Sequence, residues 1–167
     1  MDNFNYEEAF SRTLGWLTPN ELNILRNKRV AIAGAGGVGG IYALILARMG
    51  VGKLHIADND TFELANFNRQ FGANLDTIGK EKTDVIKEMA LQINPEMDIT
   101  LFHEGVHDGN RNEFLKDVDL YLDGLDFWAL QERRKIFALC HKNKIYATTV
   151  APLGFSASLL NFHPNKM

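Results

Sequence analysis

The sequence predicts an α/β fold: a doubly wound, mostly parallel sheet with helices on both faces. Three observations lead there. Short apolar runs of strand length alternate with longer segments of helical periodicity along the whole chain. A glycine cluster, "GAGGVGG", follows the first such run directly, where a strand hands over to a helix. The length, 167 residues with 46% hydrophobic, suits one well-formed core.

The elements follow in order. In "TPNELNILRNK", Thr18 can cap a helix, Pro19 suits its first position, and Glu21 completes a capping box. Val30 to Ala33 form a short apolar strand that runs into the glycines. "IYALILARMG" is apolar nearly all round and closes on Gly50, which predicts a buried helix with a glycine stop. "KLHIAD" is a second strand, ending at Asp58. Val85, Ile86, Met89, Ala90 and Ile93 recur at helical spacing, and Pro95 ends that helix. "MDITLF" alternates, placing Met97, Ile99 and Leu101 on one strand face. A short helix near Asn112 to Lys116 precedes the strand "VDLYLD". A helix from about Ala129 to His141 precedes the strand "KIYATTVA". A turn at Pro152 to Gly154 then leads to a last strand, "FSASLLNF".

Composition narrows the function classes. A net charge of -3 gives no electrostatic case for nucleic acid or an anionic membrane surface. The single cysteine, Cys140, rules out an internal disulfide and fits a reducing cytoplasm. No apolar run reaches membrane-spanning length, and "MDNFNYEEAF" lacks a basic, apolar signal.

Gly34, Gly36 and Gly39 fit G-x-G-x-x-G between a strand and a helix. The first allows a tight turn, the second lets backbone approach a phosphate, and the third permits close helix–strand packing. The helix start then presents unpaired N–H groups to an anion. Asp58 stands where an acid that holds a ribose hydroxyl is expected. These features point to a nucleotide and leave open whether it is a dinucleotide or ATP. Asn66, Arg69 and Gln70 in "NFNRQ", and Lys82 in "GKEKTD", favour ATP, because cations beside a phosphate loop neutralise a triphosphate. A lysine at a helix start is electrostatically misplaced unless an anion sits there. Asp123 and Asp126 in "LYLDGLD" follow a strand and could hold Mg2+, which binds through one or two carboxylates plus substrate phosphates.

With these motifs in view, residues 10 to 162 resemble the ThiF/MoeB/E1 family of adenylating enzymes, which activate ubiquitin-like and sulfur-carrier proteins. The resemblance implies a Rossmann-like fold, with an N-terminal helical arm over residues 1–28 and a nucleotide-binding domain over residues 29–167. It implies that Asp58 binds ribose, that Asn66, Arg69 and Gln70 line the phosphate site with Lys82, and that Asp126 binds Mg2+. It also implies that Arg12, in "FSRTLGW", reaches the ATP of a neighbouring subunit in a homodimer. "AFSRTLGW" and "DGLDFWAL" look most like a bacterial branch of the family. Phe127 departs from the asparagine usual after the metal aspartate. The zinc-binding cysteine pairs of many relatives are missing, so a fragment of a longer protein is expected.

The expected activity is ATP-dependent adenylation of a carboxylate with release of pyrophosphate. Its substrate would be the C-terminus of a ubiquitin-like or sulfur-carrier protein, or another carboxylate, with no nucleic acid expected but a modified tRNA left open. The rival readings are an NAD(P)-linked oxidoreductase and a non-catalytic partner subunit. At single residues, plainer roles compete: Arg69 could pair with Asp60 or Glu63 at the surface, and Cys140 reads as core packing. His103 and His107, four apart across a glycine, do not make a zinc site.

Overall fold

The computed structural model describes residues 4–165. Its six-stranded sheet has the order β3-β2-β1-β4-β5-β6, where β1 is Arg29–Ala33, β2 Lys53–Ala57, β3 Asp98–Phe102, β4 Leu120–Asp123, β5 Tyr146–Leu153 and β6 Ser156–Phe162. All pairs are parallel except β5–β6. The helices are α1 (Tyr6–Ala9), α2 (Pro19–Asn27), α3 (Gly37–Arg48), α4 (Lys82–Ile93), α5 (Arg111–Phe114) and α6 (Leu130–Lys142). This is the doubly wound, Rossmann-like α/β fold. Among the described residues, no helix is long and apolar enough to cross a membrane.

Strand alternation sorts side chains into two cores. Val30 and Ile32 of β1, with Leu122 of β4, pack under Ala43, Leu44 and Ala47 of α3 and Val85, Ile86 and Ala90 of α4. Ala31, Ala33 and Tyr121 point the other way, onto Phe114, Ile136 and Cys140. Burial pushes the Cys140 thiol up to about 12, which leaves it inert. A third small cluster joins Tyr6, Phe10 and Leu22, and the Tyr6 hydroxyl donates to the Gly50 carbonyl at the end of α3. The capping box of α2 forms: Thr18 Oγ1 accepts from Glu21 N–H, and Glu21 Oε2 accepts from Thr18 N–H at 2.8 Å.

Three local expectations need correction. The helix after the glycines begins at Gly37, four residues before Ile41, because its first turn is itself built from glycines. It is not buried all round: Ile45 and Met49 are exposed. The last parallel strand runs through Pro152 to Leu153, and the turn sits at Gly154, with φ +61°. Pro152 lies beyond the last β4 pairing at Thr149 and is in register only with Ala157 of β6, so its missing N–H takes nothing from the ladder with β4.

His55 of β2 is buried between Phe102 and Phe114. Arginine only donates and a carbonyl only accepts, so Nε2 accepts from Arg29 and Nδ1 donates to the Phe114 carbonyl at 2.7 Å. That fixes a neutral ring. Desolvation by burial is the main cause holding its pKa below the usual 6.5, with the Arg29 charge adding to it. The unfolded chain therefore binds a proton first as pH falls, and stability is complete above about 6.5 and declines below it. Urea unfolding at pH 7.5 and pH 5.5 should show the loss, with a slope of at most about 1.4 kcal/mol per pH unit for one proton. A His55→Asn protein should lack that dependence.

Candidate functional site

The chain reverses its direction of winding between β1 and β4, so the carboxyl ends of β1, β2 and β4 open on a crevice where such sheets bind ligands. The glycine loop forms its floor. Gly34, at φ +87°, donates its N–H to the Ala57 carbonyl at 2.7 Å. A Cβ on Gly39 would lie 1.6 Å from the Gly34 oxygen, and one on Gly34 would lie 2.2 Å from the Gly124 oxygen. Gly36 is the N-cap of α3 and no side chain caps that end, leaving first-turn N–H groups for an anion.

Segments after β2 pack on this floor. Asp58 Oδ2 accepts from Ala35 N–H at 2.6 Å, and Oδ1 accepts from Asp60 N–H at 2.9 Å. Each oxygen keeps a further lone pair. Arg69 lies against Gly37, with its carbonyl oxygen 3.3 Å and its Cγ 3.8 Å from where a Cβ would stand. Arg69 is exposed, and among the described residues its guanidinium bonds only to neutral groups, the Ala65 carbonyl and Asn68 Oδ1, both at 3.0 Å. The pairing of Arg69 with Asp60 or Glu63 that the sequence allows does not form. Gln70 is buried beside Gly36, and its Oε1 has no hydrogen-bond partner among the described residues. Asn66 is buried too, its Oδ1 accepting from Glu63 N–H at 3.0 Å and closing the 3-10 turn Leu64–Asn66.

Lys82 is only 5% exposed at the start of α4, and its Nζ donates to Asp60 Oδ2 at 2.9 Å. Asp60 is therefore joined to both Asp58 and Lys82, a link that only the tertiary structure discloses. Arg12 sits exposed in a 3-10 turn, Ser11–Thr13, with no ion pair among the described residues. No described contact ties it to the crevice.

The two aspartates after β4 differ sharply. Asp123 is 1% exposed and its oxygens accept from Arg133 Nε at 2.6 Å, Thr149 Oγ1 at 2.7 Å, Leu125 N–H at 3.2 Å and the Tyr121 hydroxyl at 3.3 Å. Both of its carboxylate oxygens are engaged by these donors. Asp126 is exposed, with no bond to its side chain among the described residues. It follows Gly124, whose N–H donates to the Ala33 carbonyl at 2.8 Å. A separate hollow of about 430 Å³, lined by Tyr6, Arg26, Lys53 and Asn94, lies at the amino ends of β2 and β3 and carries none of these motif residues.

Residues 10–167 match the ThiF family. The chain belongs to that family. It is 34% identical over 151 residues to a tRNA threonylcarbamoyladenosine dehydratase of Haemophilus influenzae, covering 90% of this chain and 57% of the relative. It is 31% identical over 140 residues to the sulfur carrier protein ThiS adenylyltransferase of Escherichia coli, covering 84% of this chain and 55% of that one. The crystal structure of the E. coli tRNA N6-threonylcarbamoyladenosine dehydratase in complex with ATP superposes with a TM-score of 0.81 at 29% identity, over 86% of this chain and 58% of that one. This ThiF-family chain thus spans a little over half the length of these relatives.

Sequence reasoning gave Gly124 and Arg133 no role and named Asp60 only as a possible surface partner of Arg69. Gly124 carried a faint signal as a glycine between two candidate acids; Arg133, one of two adjacent arginines on a helix, carried none. The glycine geometry yields a test. Gly39→Ala forces a methyl into a backbone oxygen and should lower stability by about 3 kcal/mol or more. Gly36→Ala meets the amide end of Gln70, nearest at Nε2 at an ordinary 3.4 Å, and should leave the denaturation midpoint near that of the parent.

Proposed function

We propose that this chain binds ATP over the glycine loop and forms an acyl-adenylate on a carboxylate substrate, releasing pyrophosphate. The observation that carries the reading is the packing of three separate segments on residues 34–37: Asp58 bonded to Ala35, Arg69 and Gln70 against Gly37 and Gly36, and Gly124 against Gly34. Arg69 is the part of this packing that a dinucleotide leaves without a purpose. The ATP complex of the dehydratase relative supports the same choice.

In this reading the remaining lone pairs of Asp58 take the ribose hydroxyls, and the amide N–H groups of Gln70, whose Nε2 is the end of its side chain nearest Gly36, and of Asn66 line the phosphate path. Arg69 and Lys82 neutralise charge on the leaving pyrophosphate. Mg2+ fits the donor set: no group of three metal-ligating side chains exists among the described residues, and Asp126 is a single free carboxylate beside the loop. That suits an ion shared with substrate phosphates, where it would add to the neutralisation of the leaving group. The attacking carboxylate is already ionised at neutral pH, so no general base is needed. Arg12 would complete the site of a neighbouring subunit in a homodimer, in a reducing cytoplasm.

For the substrate, the ThiS adenylyltransferase relative supports a protein C-terminus, that of a sulfur-carrier or ubiquitin-like protein. A second reading, a carboxylate carried on modified tRNA, is supported by the dehydratase relative, which matches more of this chain. Exchange of labelled pyrophosphate into ATP, triggered by one of these and not the other, decides between them.

ATP with Mg2+ should raise the melting temperature while NAD does not, since a ligand that binds the native state stabilises it. NAD as the stronger ligand would end this reading. Lys82→Met should weaken ATP binding roughly tenfold or more, the scale of a lost charge-assisted hydrogen bond. Arg69→Ala should slow pyrophosphate exchange; a parental rate would remove its role.

A further inference from the structure

We infer that Arg133 is a positioning residue of this site, holding the segment Gly124–Asp126 against the glycine loop and so setting where the Asp126 carboxylate stands. The inference rests on the reading of Asp126 as the Mg2+ ligand.

Arg133 lies one turn into α6, outside the crevice motifs. Its planar guanidinium bonds through two nitrogens, Nε and Nη2. Nε donates to the buried Asp123 Oδ2 at 2.6 Å. Nη2 donates to the Leu125 carbonyl at 2.6 Å and to the Asp126 carbonyl at 3.1 Å. Compensating the buried charge of Asp123 requires only the first bond. The other two go to carbonyls that lie partly or fully at the surface, where water would serve as well.

Every other tether of the segment points the same way. Leu125 N–H donates to Asp123 Oδ1, Gly124 N–H donates to the Ala33 carbonyl, and Ala129 N–H donates to the Asp126 carbonyl at 3.0 Å. Asp126 is thus fixed through its backbone from behind, while its carboxylate is exposed and unpaired among the described residues. A ligand held in this manner needs no rearrangement to meet an ion, and partners behind a ligand govern metal affinity as the ligand itself does. Lysine cannot reproduce the arrangement, because the single nitrogen of an ammonium on a flexible stem cannot stand in for both Nε and Nη2 of a rigid guanidinium.

The test compares Arg133→Lys with Asp126→Asn as a reference. ATP binding is measured by calorimetry across a Mg2+ titration and in EDTA, and amide exchange is followed along the chain. Arg133→Lys keeps a positive charge for Asp123 and should still fold. It should raise the Mg2+ concentration for half-maximal gain in ATP affinity about tenfold, with affinity in EDTA within about twofold of the parent. Amide exchange should quicken at residues 124–126 and stay unchanged at the glycine loop. Asp126→Asn should abolish the Mg2+-dependent gain.

A parental Mg2+ dependence in Arg133→Lys, beside a lost one in Asp126→Asn, overturns the role of Arg133 alone. Equal loss of ATP affinity with and without Mg2+ does so too, since that is the mark of a merely structural residue. A parental dependence in Asp126→Asn overturns the assignment of Asp126, and Arg133 then has no ligand to place. If Arg133→Lys fails to fold, the paired variant Asp123→Asn/Arg133→Met removes both charges together and carries the same expectations.

Discussion

Gly34, Gly39 and Gly124 bring three stretches of backbone into contact at the carboxyl end of the sheet, and a side chain at Gly34 or Gly39 would run into a carbonyl oxygen. This closeness lets the start of α3 sit directly over the ends of β1 and β4. It makes the crevice floor bare backbone, so an anion there meets N–H groups and the end of a helix dipole with nothing in between. It also means that the floor supplies no side-chain chemistry. All charge must come from the walls, one following β2 and the other following β4.

The two walls are built by different means. After β2, Asp58 ties the glycine loop to Asp60, and Asp60 reaches Lys82 on α4, so three elements share one chain of polar contacts. After β4, a buried acid does the work. An ionised carboxylate in the core is tolerable only when its lone pairs are filled. Asp123 meets that condition through α6, β5, its own strand and the following loop. The exposed and the buried aspartate of D-x-x-D consequently divide the labour: Asp123 gives the wall its shape and leaves Asp126 as the open acid.

Most of the fold was legible because it is written in local rules. The capping box at Thr18, the alternation in β3 and the glycines after β1 each dictate their structure within a few residues. What escaped depends on distant partners. Apolar periodicity placed the start of α3 too late, since glycine has no side chain to show a pattern, yet close packing on β1 requires those glycines inside the helix. The proline of β5 read as a turn because its harmlessness depends on where β4 stops. Asp123 and Asp126 look alike in sequence, and Arg133 cannot be told from Arg134 until α6 is set against β4. For Asp60 the sequence suggested Arg69 only as a plainer alternative to a phosphate role for that arginine; the observed partner is Lys82, which lies farther along the chain.

That exchange of partners bears on how the crevice would receive a polyanion. The Lys82 ammonium is buried, and a buried cation without a counter-charge would either lose its proton or destabilise the fold. Asp60 supplies the counter-charge from a side chain that is itself 59% exposed, so the pair is anchored on the lysine side and loose on the carboxylate side. Arg69 differs. Its bonds go to neutral oxygens, it makes no ion pair among the described residues, and exposure lets water carry its solvation. A phosphate arriving at Arg69 displaces water alone, whereas one arriving at Lys82 competes with a carboxylate already in place. On the ATP reading proposed above, the two cations would therefore enter differently: Arg69 with a charge that no carboxylate shares among the described residues, and Lys82 with one whose position Asp60 already sets.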